Sequence, residues 1–127
     1  MKTTKSPIHN SVNTMFVPVS DLQASVKWYC DLLGQDYNPS DVADPVYNMK
    51  INHYTGVLLD AGPPGETQKV NPSTHPLFNF HTDDVDASYL YVKELGYTIT
   101  SDITRFEDLS FFTIKDPDGN IIMICTG

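Results

Sequence analysis

Long apolar runs are missing from these 127 residues, and with them any stretch of the roughly 20 apolar residues needed to span a bilayer. Basic residues are scarce: eight Lys and Arg stand against sixteen Asp and Glu, a net charge of −8. That balance argues against a nucleic-acid partner, because such binding rests on neutralising phosphates with Lys and Arg. A cationic or neutral ligand suits it better. Cysteine is nearly absent, with only Cys30 and Cys125. There is no C-x-x-C and no Cys/His cluster, so the signature of a structural zinc site is missing. The two lone cysteines read as buried, apolar-like residues. No Gly-rich phosphate loop occurs, and no Ser/His/Asp or Cys/His grouping has a recognisable context. The opening Met1 to Pro7 is faintly basic but no apolar stretch follows it, so no secretory signal is expected and a cytoplasmic location is. An apolar fraction of 40% with 19% charged residues suits one ordinary globular domain over residues 1–127.

What the chain does have is a repeat. Asp21-Leu22-Gln23-Ala24-Ser25 running to Leu33-Gly34 returns 63 residues later (84 − 21) as Asp84-Val85-Asp86-Ala87-Ser88 running to Leu95-Gly96. One supersecondary unit has been used twice. In each copy an aspartate is placed to cap a helix and a glycine to end it. Apolar positions Leu22, Val26, Tyr29 and Leu33 recur at helical spacing. Alternation predicts strands over residues 11–19, 35–38, 46–52 and 55–61 in the first unit, and over 75–82, 97–104, 109–115 and 121–126 in the second. Asp116-Pro117-Asp118-Gly119-Asn120 reads as a hairpin turn with Gly119 at positive φ. The boundaries are module one at about residues 11–61, a Gly/Pro-rich linker at about 62–74, and module two at about 75–126. The fold class is α+β: two βαβββ modules forming a mixed curved sheet around a cleft, helices on the outer face. That cleft is the default ligand site.

Three stretches, taken in order, resemble the vicinal oxygen chelate superfamily, which includes glyoxalase I, bleomycin-resistance proteins, fosfomycin-resistance enzymes and extradiol dioxygenases. They are Val19-Ser20-Asp21-Leu22 through Leu33-Gly34, Asp84-Val85 to Gly96, and Phe112 to Ile122 around the Asp116 turn. The resemblance implies that metal-dependent members hold an ion with four side chains, one from the first and one from the last strand of each module. Here those positions fall on Thr14, Leu77, Met123 and a residue near Leu59, which offer no strong donor set for a divalent ion. Asp60 is the only acid nearby, and strand alternation is expected to point it to the opposite face. No metal ligand and no resident cofactor are therefore assigned.

Strand parity gives a ligand face of Thr14, Phe16, Tyr47, Met49, Leu59, Leu77, Asn79, His81, Phe111 and Met123. It is an apolar and aromatic hollow suited to a flat or amphipathic organic molecule. His81 is the one catalytic candidate: either a general base in the cleft or a strand-end histidine bonded locally. A displaced metal site drawing on His53, His75 or His81 with Glu66 or Glu107 stays open. Two readings from different classes lead. One is a non-metal protein resembling the bleomycin-resistance branch, which sequesters or senses an organic ligand as a homodimer. The other is a diverged lyase, isomerase or dioxygenase with a relocated metal, or metal-free chemistry at His81. A third reading is an interaction or regulatory module whose cleft is closed.

Overall fold

Asp21 and Asp84 each stop a strand and start a helix, their carboxylates accepting from the backbone N–H of Ala24 (3.1 Å) and Ala87 (3.0 Å). Each such cap contributes about 0.5–2 kcal/mol. The computed structural model describes residues 6–52 and 55–127. In chain order its elements are β1 (Thr14–Pro18), α1 (Leu22–Leu33), a 3-10 turn (Pro39–Asp41), β2 (Val46–Lys50) and β3 (Gly56–Asp60) in the first module. The second module has β4 (Asn79–His81), α2 (Val85–Glu94), β5 (Thr98–Ile99), β6 (Thr104–Arg105), β7 (Ser110–Lys115) and β8 (Ile121–Cys125). Gly34 closes α1 at φ 69°, a conformation that costs glycine nothing.

The mixed sheet comes in two hydrogen-bonded parts, β1-β3-β2 and β4-β8-β7-β5, with β6 also paired to β7. In each part the first strand runs parallel to the last one and lies at the edge. Pro18, at the end of edge strand β1, therefore forfeits no ladder bond. The first part has three strands because the strand expected at 35–38 does not form. Its side chains are spent elsewhere: Gln35 Nε2 donates to Lys50 O, Tyr37 OH to Gln23 Oε1, and Asn38 Oδ1 accepts from Ser40 N. The strand expected at 97–104 is split into β5 and β6.

Each sheet buries one face under its own helix. Val17, Met49, Val57 and Leu59 meet α1, and Phe112, Ile114 and Ile122 form the matching layer beneath α2, facing its buried Val92. Cys30 and Cys125 are buried free thiols. Among the described residues no helix is long and apolar enough to cross a membrane.

The modules are joined by side chains, with no strand pairing between the two sheets among the described residues. The Asp116 turn is the chief clamp. Tyr29 OH on α1 donates to Asp116 Oδ2 at 2.7 Å, Asn120 Nδ2 donates to Pro18 O at 3.0 Å, and Ser20 N–H donates to Asp118 Oδ2 at 3.0 Å. Beside it Trp28 stacks on Tyr97 with ring centroids 4.5 Å apart, and Tyr97 OH donates to Trp28 O. Burial holds the phenols of Tyr29 and Tyr97 well above the ordinary tyrosine range, with nearby carboxylates adding to the effect. A folded-state pKa above the unfolded value means that this stabilisation is complete below about pH 10 and lost as the pH rises past it. Absorbance titration at 295 nm will accordingly ionise fewer than the seven tyrosines near pH 10. The remainder will titrate together with loss of near-ultraviolet circular dichroism. Ionisation of all seven in one step, with the fold intact, would contradict the packing.

Candidate functional site

Opposite the helices each sheet has an open face, and strand register decides which residues stand on it. In the first sheet the Cα partners are Thr14, Gly56 and Lys50 in one row, then Phe16, Leu58 and Asn48, then Pro18, Asp60 and Val46. Phe16, 68% exposed, marks this as the open side. The alternate rows, Met15-Val57-Met49 and Val17-Leu59-Tyr47, lie under α1. Tyr47, Met49 and Leu59 are thus off the expected ligand face. Met49 is 1% exposed and Leu59 0%, both in the core. Alternation within each strand was legible, but the phase of β2 and β3 against β1 was off by one residue, and such a slip moves every side chain to the other face.

The same slip brings two unassigned residues to the open face. Leu58 takes the place expected near Leu59: it partners Phe16, five residues before Asp21, as Met123 partners Asn79, five residues before Asp84. Asp60 also stands on the open side, its Oδ1 accepting from Gly62 N–H at 2.8 Å. Counting from the two aspartate caps was the signal that could have found Leu58.

The second sheet keeps the expected phase. Asn79, Met123 and Thr113 form one row and His81, Cys125 and Phe111 the next, with Leu77 N–H bonded to Ile121 O beyond them. Thr14 and Phe16 on one sheet, and Leu77, Asn79, His81, Phe111 and Met123 on the other, are therefore all on open faces. Two hollows in the surface lie elsewhere. One, of about 490 Å³, lies at the start of α1 beside Asp21, Asp44 and Glu66. The other, of about 410 Å³, lies between the end of α1 and α2, lined by Leu32, Phe80, Ala87, Tyr91 and Val92 with His81 at its edge.

His81 Nε2 is 2.8 Å from Asp83 Oδ1 at the exposed end of β4, with both side chains largely in solvent. His75 Nδ1 is 2.9 Å from Ser73 Oγ. His53 lies outside the described residues. Among the described residues no three or more His, Cys, Asp or Glu side chains are grouped to hold a metal ion, so His75, His81, Glu66 and Glu107 are not brought together.

Residues 11–124 match the family described as the Glyoxalase/Bleomycin resistance protein/Dioxygenase superfamily. No curated protein sequence matches the chain. Among solved structures, the oxidase ChaP-H1 is similar at 19% identity and TM-score 0.70, over 94% of this chain and 97% of that one. A lactoylglutathione lyase from Agrobacterium tumefaciens is similar at 20% identity and TM-score 0.68, over 94% and 95%. A glyoxalase/dioxygenase from Nostoc punctiforme is similar at 20% identity and TM-score 0.70, over 98% and 97%. At these identities the likeness is one of fold.

Proposed function

The chain belongs to the glyoxalase/bleomycin resistance/dioxygenase superfamily, and from that membership we propose that it binds a small organic molecule on its open sheet faces, without a resident metal. The observation that carries this reading is the character of those faces. Phe16 at 68% and Leu77 at 38% exposure stand out on them, with Leu58, Phe111 and Met123 alongside. Large apolar groups left in water on a sheet face are suited to covering by a ligand or a partner. The positions at which the resemblance would put metal ligands are Thr14, Leu58, Leu77 and Met123. One hydroxyl and one thioether do not make a divalent-ion site, which calls for carboxylates, imidazoles or carbonyls. The residues present do not fit the metal of the family's metal-dependent members.

A second copy of the chain completes the site in this reading. An open face of the first sheet in one protomer meets an open face of the second sheet in the other, giving a homodimer with the ligand between them. A second reading, acid–base chemistry, draws on the His81–Asp83 pair: Asp83 holds Nε2 and leaves Nδ1 free to take a proton. Its place in solvent, at the edge of the hollow beside α2, favours binding over catalysis.

The test combines light scattering, element analysis and a thermal-shift panel of organic compounds. The expected protein is a dimer of 14.2 kDa chains, free of stoichiometric transition metal, whose melting temperature rises with a bound compound. Saturation at 100 times the dissociation constant would add about 2.7 kcal/mol. A stoichiometric metal that supports turnover would overturn the reading.

A further inference from the structure

Three polar side chains of the first module gather around one glycine on the open face. Thr14, Gly56 and Lys50 occupy a single row of the β1-β3-β2 sheet, and Asn48 follows in the next row on the same face. Asn48 leans over Gly56: a Cβ built at residue 56 would come to 2.4 Å from Asn48 Oδ1. A side chain at residue 56 would therefore push the Asn48 amide aside, whereas the backbone itself asks for no glycine, since Gly56 is not among the glycines at positive φ. The hydroxyl of Thr14, the amide of Asn48 and the ammonium of Lys50 make no hydrogen bond or ion pair with other described residues. Lys27 and Arg105 are engaged with Asp31 and Asp86, whereas Lys50, like Lys69, Lys93 and Lys115, has no ion-pair partner among the described residues. The acid on this face, Asp60, lies four residues along β3 from Gly56. At about 3.3 Å per residue that is roughly 13 Å, beyond the screening length of about 8 Å at physiological salt. Its Oδ1 is already engaged with Gly62 N–H.

We propose that Thr14, Asn48 and Lys50, set around Gly56, form an oxyanion-binding end of the ligand site and take the carboxylate of an organic anion whose apolar body lies on Phe16 and Leu58. The inference rests on the reading that the open faces bind an organic molecule, and it specifies that molecule's class. The Thr14 hydroxyl and the Lys50 ammonium are donors suited to a carboxylate, the ammonium making the bond charge-assisted, and the Asn48 amide, whose Oδ1 lies over Gly56, donates to it once turned over to present Nδ2. The row carrying Phe16 and Leu58 lies two residues along each strand, roughly 6.6 Å from the Gly56 row. That spacing matches a carboxylate attached to a flat ring system. Local charge here opposes the global one: a chain of net charge −8 leaves a lysine unpaired on the sheet face that carries Phe16, one row along and across β3 from it.

Three probes of matched shape test this: 2-naphthoate, 2-naphthalenemethanol and 2-naphthylmethylammonium. Each is titrated into the full chain, with binding followed by backbone amide shifts in heteronuclear NMR. 2-Naphthoate is expected to bind at least tenfold more tightly than the alcohol and to move the Thr14, Asn48 and Gly56 signals. Lys50→Gln should abolish that preference, Gly56→Ala should weaken naphthoate by displacing Asn48, and Lys93→Gln on α2, away from both open faces, should leave it unchanged. If the alcohol binds as well as naphthoate, or Lys50→Gln retains full affinity, the oxyanion site is overturned while the broader binding reading stands. If no probe of any charge shifts open-face signals, both fall.

Discussion

Asp116→Ala will destabilise the protein by about 3–5 kcal/mol, because buried donors left without an acceptor cost about 1–3 kcal/mol each, and lower its melting temperature by on the order of 10–20 °C. Asp116 is 5% exposed and accepts four hydrogen bonds: Tyr29 OH at 2.7 Å, Asn120 Nδ2 at 3.0 Å, and the N–H groups of Asp118 and Asn120 at 2.9 Å each. Alanine leaves all four donors without their acceptor, two of them on fully buried side chains of different modules. Tyr29→Phe removes one donor and leaves the other three in place, so about 1 kcal/mol is expected. Burial raises the Asp116 pKa above the ordinary carboxylate value, against the pull of its hydrogen bonds to Asn120 and Tyr29. With the folded-state pKa above the unfolded one, the contribution is complete below the unfolded value of 3.8 and declines as the pH rises through the folded one. The stability gap between wild type and Asp116→Asn therefore narrows from pH 3 towards neutrality. Urea melts at several pH values measure all of this. An Asp116→Ala protein within 1 kcal/mol of wild type would show that the turn does not clamp the modules.

The turn illustrates which part of the fold could be read in advance. Gly119 at positive φ follows from five consecutive residues, and so do the two helix caps, because a short polar side chain reaches only its own neighbourhood. That Asp116 serves as acceptor for Tyr29, 87 positions away, leaves no local trace. Apolar periodicity gave α1, and the repeat with its Asp84 cap gave α2, each to within a residue or two. The missing strand at 35–38 failed differently. Gln35, Tyr37 and Asn38 are compatible with extended backbone, but Asn38 and Pro39 start a turn, and Gln23 Nε2 holds Pro39 O and Val42 O against α1. The ties that decide the matter come from a helix earlier in the chain.

The candidate site was legible strand by strand and not between strands. Parity put Thr14 with Phe16, and Asn79 with His81, because alternation within a strand is a fixed property of extended chain. It could not say whether β2 and β3 present their even or odd residues beside Phe16. In the second module the short Asp116–Asn120 turn fixes β7 against β8, and Phe111 and Met123 came out on the open side as read. In the first, the loop between β2 and β3 has no glycine turn to set the register. Tyr47, Met49 and Leu59 were consequently exchanged with Asn48, Leu58 and Asp60. Hydrophobicity made the error attractive, since the buried set is the more apolar one.

Paired substitutions on neighbouring positions distinguish the two faces directly. Leu59→Ala is expected to cost about 2–5 kcal/mol, the range for a buried leucine emptied into a cavity, because Leu59 is wholly enclosed between the sheet and α1. Leu59→Asp should prevent folding altogether, a carboxylate there having no partner to offset its lost hydration. Phe16→Asp, on the other side of the sheet from that helix, should leave the unfolding free energy of the single chain from urea melts within about 0.5 kcal/mol of wild type, as surface substitutions do. Its effect should appear in association: light scattering should show a shift towards the 14.2 kDa chain, and ligands that raise the wild-type melting temperature should lose their effect. The reverse pattern, with Leu59→Ala harmless and Phe16→Asp unfolding the chain, would exchange the faces and restore Tyr47, Met49 and Leu59 to the ligand side. Because 68% exposure at Phe16 and 0% at Leu59 come from one register, a single pair of variants tests every face assignment in the first sheet together.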